Sequence, residues 1–290
     1  MKKGSQPTDG GNLILTAEQR ASLIAAEPLA EQWIKPYLGG EELINGNHRY
    51  CLWLRDADPT QLRQCPQVLA RVEAVRASRL QSPTASVVEF ANRPTLFTQD
   101  RQPDSPYMAV PEVSSIRRRY VPIGFLESAV IASNQLQLIV GGTIYHFGVM
   151  SSVMYMAWFR TVAGRMKSDY RSSPAVYNNF PWPDPTPEQR SAVEAKAQAV
   201  LDARAQFPDS TLADLYDPTA MPPALVKAHA DLDKAVEKCY RKEAFGTDRE
   251  RVEFLFQRYE QLSAPLAPPD RPRRGRRRAS GESTDHPDSP

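Results

Sequence analysis

Cysteine and histidine are scarce in this sequence of 290 residues, and those present show no metal-binding pattern. The three cysteines, Cys51, Cys65 and Cys239, lie far apart and the four histidines are dispersed, so we expect reduced thiols and no metal site. No apolar run approaches the roughly 20 residues of a membrane span, and the polar N-terminus lacks the features of a signal peptide. These absences predict a cytoplasmic protein with no membrane contact.

A strong overall charge is also missing, since 36 basic residues face 34 acidic ones and the formal net charge is +2. The excess lies in the last 25 residues, 266–290, where six arginines accompany four acids, and the remainder is balanced at 30 and 30. That tail has little apolar content and is predicted to be disordered. Affinity for nucleic acid would therefore depend on local clusters and on partners, because no general basic field supplies it.

The residues of a DNA methyltransferase active site are absent as well. An adenine methyltransferase needs an Asn- or Asp-Pro-Pro-aromatic loop to hold the flipped base, and no such tetrapeptide occurs; NNFPWP at 178–183 has the wrong order and predicts a rigid connector. Gly141-Gly142 is the nearest candidate for a cofactor turn, yet a glycine pair at a strand end is typical of an ordinary turn. His146 has no evident partner, so we expect it to pack at a helix start. The sequence thus predicts no catalytic and no cofactor-binding residue in this chain.

Changes in composition along the chain indicate an α+β fold. Between Arg93 and Ile144, short apolar runs broken by proline and glycine predict a twisted, mostly antiparallel sheet with flanking helices. Gly148–Ala163 has apolar residues at helical spacing. Capping signals after Pro185, such as Thr186 with Gln189, predict a small helical domain in the last third of the chain.

The segment from Trp158 to Pro183 is the most informative about function. It contains four charged residues that alternate with others, namely Arg165, Lys167, Asp169 and Arg171. Alternate side chains of an extended strand share a face, so the pattern predicts a single row of three cations and one carboxylate. Lysine and arginine donate to guanine and a carboxylate accepts from cytosine, so such a row suits the reading of DNA base edges between phosphates.

Two groups of arginines admit either a structural or a phosphate-binding interpretation. The densest basic cluster outside the tail is Arg117–Arg119, which fits a solvated turn or a grip on DNA phosphates. Arg71, Arg76 and Arg79 lie on a predicted helix, away from its apolar side. They fit a solvated surface, with phosphate contact as the alternative.

Four stretches of the sequence form a combination that is specific to one protein family. They are Gly4–Thr16, Tyr37–Leu54, His146–Ser173 and Val176–Pro183. Together they resemble the target-recognition region of the MmeI-like type IIL restriction-modification enzymes, which are fused adenine methyltransferase and endonuclease polypeptides. The resemblance extends over roughly residues 4–262.

The resemblance implies a sequence-specific DNA-recognition module whose partner is double-stranded DNA. The family's specificity contacts fall in the segment that holds Lys167 and Asp169, so we expect these two residues to read bases. Contacts to phosphates or neighbouring bases are expected from Arg165, Arg171, Arg117, Arg118 and Arg119. The implied division is a linker at 1–12, a DNA target-recognition domain at 13–185, a C-terminal helical domain at 186–265 and a disordered basic tail at 266–290.

The sequence shows no counterpart of the family's nuclease and methyltransferase domains. Methylation would then require a catalytic methyltransferase domain, upstream in cis or supplied in trans, and S-adenosylmethionine is expected only in that domain. Two alternatives stay open: a subunit of a split or divergent S-adenosylmethionine-dependent DNA methyltransferase, and a non-functional truncated remnant.

Overall fold

The structure is a computed structural model that describes residues 1–264, so the tail predicted at 266–290 lies outside the described residues. Strands and helices alternate up to Pro185, and within the described part only helices follow. The predicted α+β class is therefore confirmed. No helix in this part of the chain is long and apolar enough to cross a membrane.

The strands of residues 1–264 form three small sheets rather than the single sheet that was expected. Their bounds are β1 Lys2–Lys3, β2 Ile14–Leu15, β3 Ile34–Leu38, β4 Tyr50–Leu52, β5 Tyr107–Pro111, β6 Val113–Ser114, β7 Gly124–Leu126, β8 Ile131–Ala132, β9 Leu136–Val140, β10 Gly164–Met166 and β11 Asp169–Arg171. The three orders are β1-β9-β5-β7, β10-β11-β6 and β2-β4-β3-β8. Neighbouring strands run antiparallel except β3 and β8, which are parallel.

Several helices begin at residues whose side chains cap them, among them α1, α7, α9 and α12. Their bounds are α1 Ala17–Ala26, α2 Gly40–Asn45, α3 Pro59–Leu62, α4 Pro66–Leu80, α5 Ala85–Glu89, α6 Ile144–Met150, α7 Val153–Val162, α8 Pro174–Asn178, α9 Pro187–Ala205, α10 Leu212–Leu215, α11 Pro223–Lys238 and α12 Asp248–Ser263, with 3-10 helices at Pro28–Trp33 and Phe90–Asn92. Thr186 and Gln189 form the predicted capping box of α9. His146 accepts from the Thr143 N–H at 3.1 Å, which confirms its place at the start of a helix.

The apolar stretch Gly148–Ala163 is divided between α6 and α7 instead of forming one helix. The division falls at Ser152, whose hydroxyl donates to Val149 O at 2.7 Å and accepts from Tyr155 N–H at the N-terminus of α7. Serine favours such capping positions over helix interiors because its side chain competes for backbone hydrogen bonds. The division gives α7 an N-terminus of its own.

The largest core joins the sheet to the C-terminal helices. Buried side chains of β5, β9, α6 and α7 cluster with those of α9, α11 and α12. Gly148 allows α6 to approach α9 closely, since a Cβ there would lie 3.0 Å from side-chain carbons of Val193 and Ala197. The C-terminal helices therefore complete a shared core and do not enclose one of their own.

Residues 1–12 are packed into the fold, which corrects the expectation of a linker. β1 pairs with β9, and Gly4 N–H donates to Leu136 O at 3.0 Å. A Cβ on Gly4 would lie only 2.2 Å from Ser133 O, so the glycine serves close approach and not flexibility. Asp9 is also buried and accepts from Leu13 N–H at 2.5 Å.

Arg79 is not on the surface, contrary to the sequence-based expectation. It is 1% exposed, and its five N–H donors bond to backbone carbonyls. The acceptors belong to Pro7, Thr8, Phe90, Arg93 and Leu96. Burial lowers the pKa of its guanidinium. Arg79 thus fastens the N-terminal segment and residues 90–96 to α4, a role that depends on segments far away in the sequence.

Candidate nucleic-acid interface

The charged segment 164–171 is a two-stranded hairpin and not one extended strand. β10 and β11 are antiparallel with Met166 opposite Asp169, so Lys167 and Ser168 form the turn. Lys167 adopts the left-handed backbone conformation, with φ of 55°. The expected single row of charges is wrong, because the chain reverses direction in the middle of it.

The register of the hairpin divides the charged side chains between its two faces. Arg165 lies opposite Tyr170, and its guanidinium is 3.9 Å from the ring centroid. Arg165 Nη1 also donates to Ser168 O at 3.0 Å, while the residue stays exposed. Asp169 and Arg171 flank Tyr170 on their strand and therefore belong to the other face. The three cations of the predicted row thus have different surroundings.

Arg171 has an internal partner. It forms a salt bridge with Glu112 at 2.8 Å, and Glu112 is 8% exposed as a residue. Lys3 contacts the same carboxylate at 2.9 Å. The contact of Arg171 with DNA stays a prediction, and its pairing with Glu112 indicates that it also anchors the hairpin.

Asp169 links the hairpin to the basic cluster Arg117–Arg119. Its Oδ1 accepts from the Ile116 N–H at 3.3 Å, and the residue is half-buried. β11 also pairs with β6, so the cluster that follows β6 lies beside the hairpin. Burial lowers the pKa of Arg118, and the nearby charge of Asp169 opposes that shift. The fold therefore brings together two groups of candidate residues that are distant in the sequence.

The three arginines of the cluster differ in their surroundings. Arg117 is exposed, and Arg118 is half-buried. Arg119 is exposed, with its guanidinium 5.4 Å from the centroid of the Tyr120 ring. Arg160 Nη2 lies 3.4 Å and 3.2 Å from the carbonyl oxygens of Arg118 and Arg119 and donates to both. Arg160 therefore holds the backbone of the loop, while the side chains of Arg117 and Arg119 extend into solvent.

A cleft of about 460 Å³ opens between the hairpin and α2. Its lining combines apolar, acidic and basic groups, and it is formed by Gly40, Glu41, Ile44, Asn45, Glu112, Val113, Arg118, Gln135 and Met166. Such a lining offers hydrogen bonds to a ligand but no group of metal ligands. Across residues 1–264, no cluster of three or more His, Cys, Asp or Glu side chains could hold a metal ion.

A buried polar network lies beneath the basic cluster and joins it to α11. The His229 ring stacks on Tyr120 with 3.9 Å between centroids. His229 Nδ1 is 3.1 Å from Ser151 O and Nε2 is 2.8 Å from Tyr216 Oη. Because a carbonyl can only accept, Nδ1 carries the proton and Nε2 accepts from the hydroxyl. Burial and the nearby charge of Arg204 lower the pKa of His229 to about 3, so the ring is neutral at pH 7.

Sequence reasoning missed three residues of this region: Tyr170, Glu112 and His229. Tyr170 carried a usable signal, because an aromatic residue between charged ones can stack on a guanidinium across a hairpin. Glu112 and His229 carried none, since Glu112 bonds to Arg171 and His229 to Ser151, each more than 50 residues away along the chain.

Two family models match adjoining parts of this chain. The model for "MmeI, target recognition domain" matches residues 1–184, and the model for "MmeI, C-terminal domain" matches residues 185–267. The chain therefore belongs to the MmeI family, and the resemblance seen in the sequence is confirmed.

Two relatives of this chain are longer than it is. DNA methyltransferase A of Bacillus subtilis (strain 168) is 35% identical over 261 residues, which are 90% of this chain and 30% of that protein. The solved structure of the type IIL restriction-modification enzyme MmeI in complex with DNA is 41% identical, with a TM-score of 0.89, over 91% of this chain and 35% of that chain. The chain spans about a third of the length of these relatives.

Proposed function

We propose that this chain is the sequence-specific DNA-recognition module of a restriction-modification enzyme that methylates adenine. The observation that carries the proposal is the hairpin 164–171, which presents Lys167 at its exposed tip beside the cluster Arg117–Arg119. The similarity to MmeI, whose structure was solved with DNA, supports it. A protruding basic hairpin flanked by arginines suits a duplex groove between two phosphate backbones.

Lys167 and Asp169 read bases in this proposal. The Lys167 ammonium donates to guanine O6 and N7 from the tip of the turn. Asp169 uses Oδ1 for the Ile116 N–H, which leaves Oδ2 to accept from the cytosine amine. Together they would read the two halves of one G·C pair.

The neighbouring arginines hold the duplex. Arg165 and Arg117 are exposed and suit phosphate contacts, which position the protein without reading sequence. Arg119 is also exposed and Arg118 is half-buried, and both suit phosphates or adjacent bases. Arg171 also contacts phosphates or neighbouring bases in this proposal, while Glu112 holds its guanidinium.

Methyl transfer belongs to a separate catalytic domain in this proposal. That methyltransferase domain, in cis upstream or in trans, binds S-adenosylmethionine and receives the flipped adenine. This chain selects the duplex in the cytoplasm and contributes no group to the chemical step.

The test is selection of duplexes from a random DNA library by the full chain, followed by sequencing. The wild-type chain should enrich a defined site, and the double variant Lys167→Glu with Asp169→Arg should enrich C in place of G on one strand at one position. The matched control is Lys227→Glu with Asp231→Arg, which exchanges an exposed pair 3.0 Å apart on α11 and should leave the site unchanged. Enrichment of the same site by the hairpin variant would overturn the assignment of Lys167 and Asp169. Enrichment of no site by the wild-type chain would overturn the function itself.

A further inference from the structure

The carboxylate of Asp233, on α11, is bonded by two segments that lie far away in the sequence. Oδ2 accepts from the Tyr120 hydroxyl at 2.7 Å, and Oδ1 accepts from the Val153 backbone N–H at 2.8 Å. The Arg119 guanidinium lies 3.9 Å from Oδ2, and Asp233 is 7% exposed. One buried side chain of the C-terminal helices therefore joins two separate segments of the preceding region.

Both segments lead directly into the candidate DNA interface. Tyr120 follows Arg119, the last residue of the basic cluster. Val153 is the first residue of α7, and α7 ends at Val162, just before the hairpin begins at Gly164. Asp233 thus lies at the base of the basic cluster and at the N-terminus of the helix that leads to the hairpin.

Contacts along α7 carry this anchoring to the hairpin. Phe159 of α7 packs on Tyr170 of β11, with 5.5 Å between ring centroids, and Tyr170 carries the Arg165 guanidinium at 3.9 Å. Trp158 donates from Nε1 to Val176 O at 3.0 Å, which fixes the chain just after the hairpin. A displacement of the α7 N-terminus would therefore displace the side chains that face DNA.

Stability alone does not account for a carboxylate at this place. Burial makes the ionised form costly and raises the pKa of Asp233 to about 6, although Tyr120, Val153 and Arg119 favour the charge. Replacement of a buried, paired charge by well-packed apolar side chains is often neutral or stabilising. The carboxylate instead fixes a geometry, because one oxygen binds the Tyr120 hydroxyl and the other binds the N-terminus of α7.

We propose that Asp233 is a positioning residue of the DNA-recognition surface, which fixes the basic cluster and the hairpin relative to each other so that Arg119 and Lys167 meet the duplex together. The inference rests on the proposed DNA recognition. It predicts a loss of discrimination between sequences and little loss of general affinity, because phosphate contacts are independent of sequence whereas base-edge hydrogen bonds demand fixed geometry.

The test uses three variants of the full 290-residue chain: Asp233→Asn, Tyr120→Phe and the control Asp231→Asn. The control removes the same charge from the same helix at a position where the carboxylate pairs with Lys227 at 3.0 Å. For each protein we would measure Kd for the duplex that the wild type selects, Kd for a scrambled duplex, and hydrogen–deuterium exchange of the backbone amides.

Asp233→Asn and Tyr120→Phe should each reduce the ratio of the two Kd values about tenfold, the effect of one lost base contact. Binding to the scrambled duplex should stay within about twofold, because the arginines remain. Amides of residues 116–120 and 164–171 should exchange faster in both variants. Asp231→Asn should match the wild type in every measurement.

An unchanged Kd ratio with unchanged exchange in Asp233→Asn would overturn the inference, and so would an equal effect of Asp231→Asn. If Asp233→Asn does not fold, Tyr120→Phe decides, since it removes one oxygen and leaves the ring. A wild-type chain that selects no duplex would instead overturn the proposed function. In that case the exchange measurement alone decides whether Asp233 holds the two segments together.

Discussion

Arg171 donates two hydrogen bonds to a single oxygen of Glu112, from Nε at 2.9 Å and from Nη2 at 2.8 Å. Lys3 Nζ lies 2.9 Å from the same oxygen. Desolvation would raise the pKa of Glu112, but the hydrogen bonds and charges of Lys3 and Arg171 together hold it below its ordinary value. Glu112 therefore ties the hairpin to the first strand of the fold.

Arg171→Ala should lower the free energy of unfolding by about 1 kcal/mol, because Glu112 would keep only Lys3 as a charged partner. The effect stays small because 45% of the Arg171 side chain is exposed and its charge is screened. Urea unfolding at pH 7 measures it. Arg165→Ala, in the same hairpin, is the control and should change stability by less than about 0.5 kcal/mol. Equal losses in the two variants would contradict the anchoring role of Arg171.

Lys167→Gly should keep or raise stability while it removes the cation from the hairpin tip. A φ of 55° is costly for a residue with a Cβ and not for glycine, so we expect a gain of about 0.5 kcal/mol after the entropy of the unfolded chain. Lys167→Ala keeps the strained conformation and should be the less stable of the two by urea unfolding. Both variants should lose the same preference in DNA selection. A Gly variant less stable than the Ala variant would argue against strain at the turn.

Arg79→Met should destabilise the protein by roughly 3 kcal/mol, because it removes a buried side chain that donates to five backbone carbonyls and leaves them without these donors. Arg76→Met is the control on the same helix. Arg76 is half-exposed and pairs with Glu73 at 3.3 Å, so its loss should cost less than about 0.5 kcal/mol. Urea unfolding compares the two variants. Similar losses of stability would contradict the role of Arg79 in fastening the N-terminal segment and residues 90–96 to α4.

His229 and Asp233 should give opposite dependences of stability on pH. The pKa of His229 is lowered to about 3 by burial and Arg204, so its contribution is present above pH 6.5 and is lost as pH falls toward 3. The pKa of Asp233 is raised to about 6 by burial, so its contribution is present at low pH and is lost as pH rises through 6. Between pH 7 and pH 5, the contribution of His229 to the free energy of unfolding falls by about 2 kcal/mol, and that of Asp233 rises by about 1 kcal/mol.

His229→Gln should therefore become more stable toward pH 5, and Asp233→Asn should lose more stability there than the wild type does. Urea unfolding at pH 7, 6 and 5 tests both signs. The wild-type profile is the reference, and parallel profiles for all three proteins would contradict the assigned pKa directions.

The purified chain should transfer no methyl groups from labelled S-adenosylmethionine to duplex DNA. The reason is the missing Asn- or Asp-Pro-Pro-aromatic loop, without which no group holds the adenine amine. Addition of a methyltransferase domain from a relative is the positive arm, with incorporation expected at the selected site. Incorporation by the chain alone would overturn the assignment of catalysis to a separate domain.

Features that depend on near neighbours along the chain could be predicted from the sequence. Thr186 with Gln189 marked the start of α9, and the proline- and glycine-broken runs before Ile144 marked antiparallel strands. The family was also evident, because its motifs are short stretches of consecutive residues. Such signals can be recognised without the tertiary structure, because a cap or a strand pattern depends only on hydrogen bonds and side-chain directions within a few residues.

Features that depend on distant partners required the folded chain. The alternation from Arg165 to Arg171 fits an extended strand and a hairpin equally well, and pairing of Tyr170 with Ser114 accompanies the observed reversal. The sequence predicted Arg79 to be a surface residue, whereas in the folded chain it donates to five carbonyls from two other segments. Asp233 gave no signal, because its bonds to Tyr120 and Val153 exist only once α11 packs against α7. Local hydrogen bonds follow from backbone geometry, whereas the partner of a buried charge is chosen by whichever segments the shared core brings into contact.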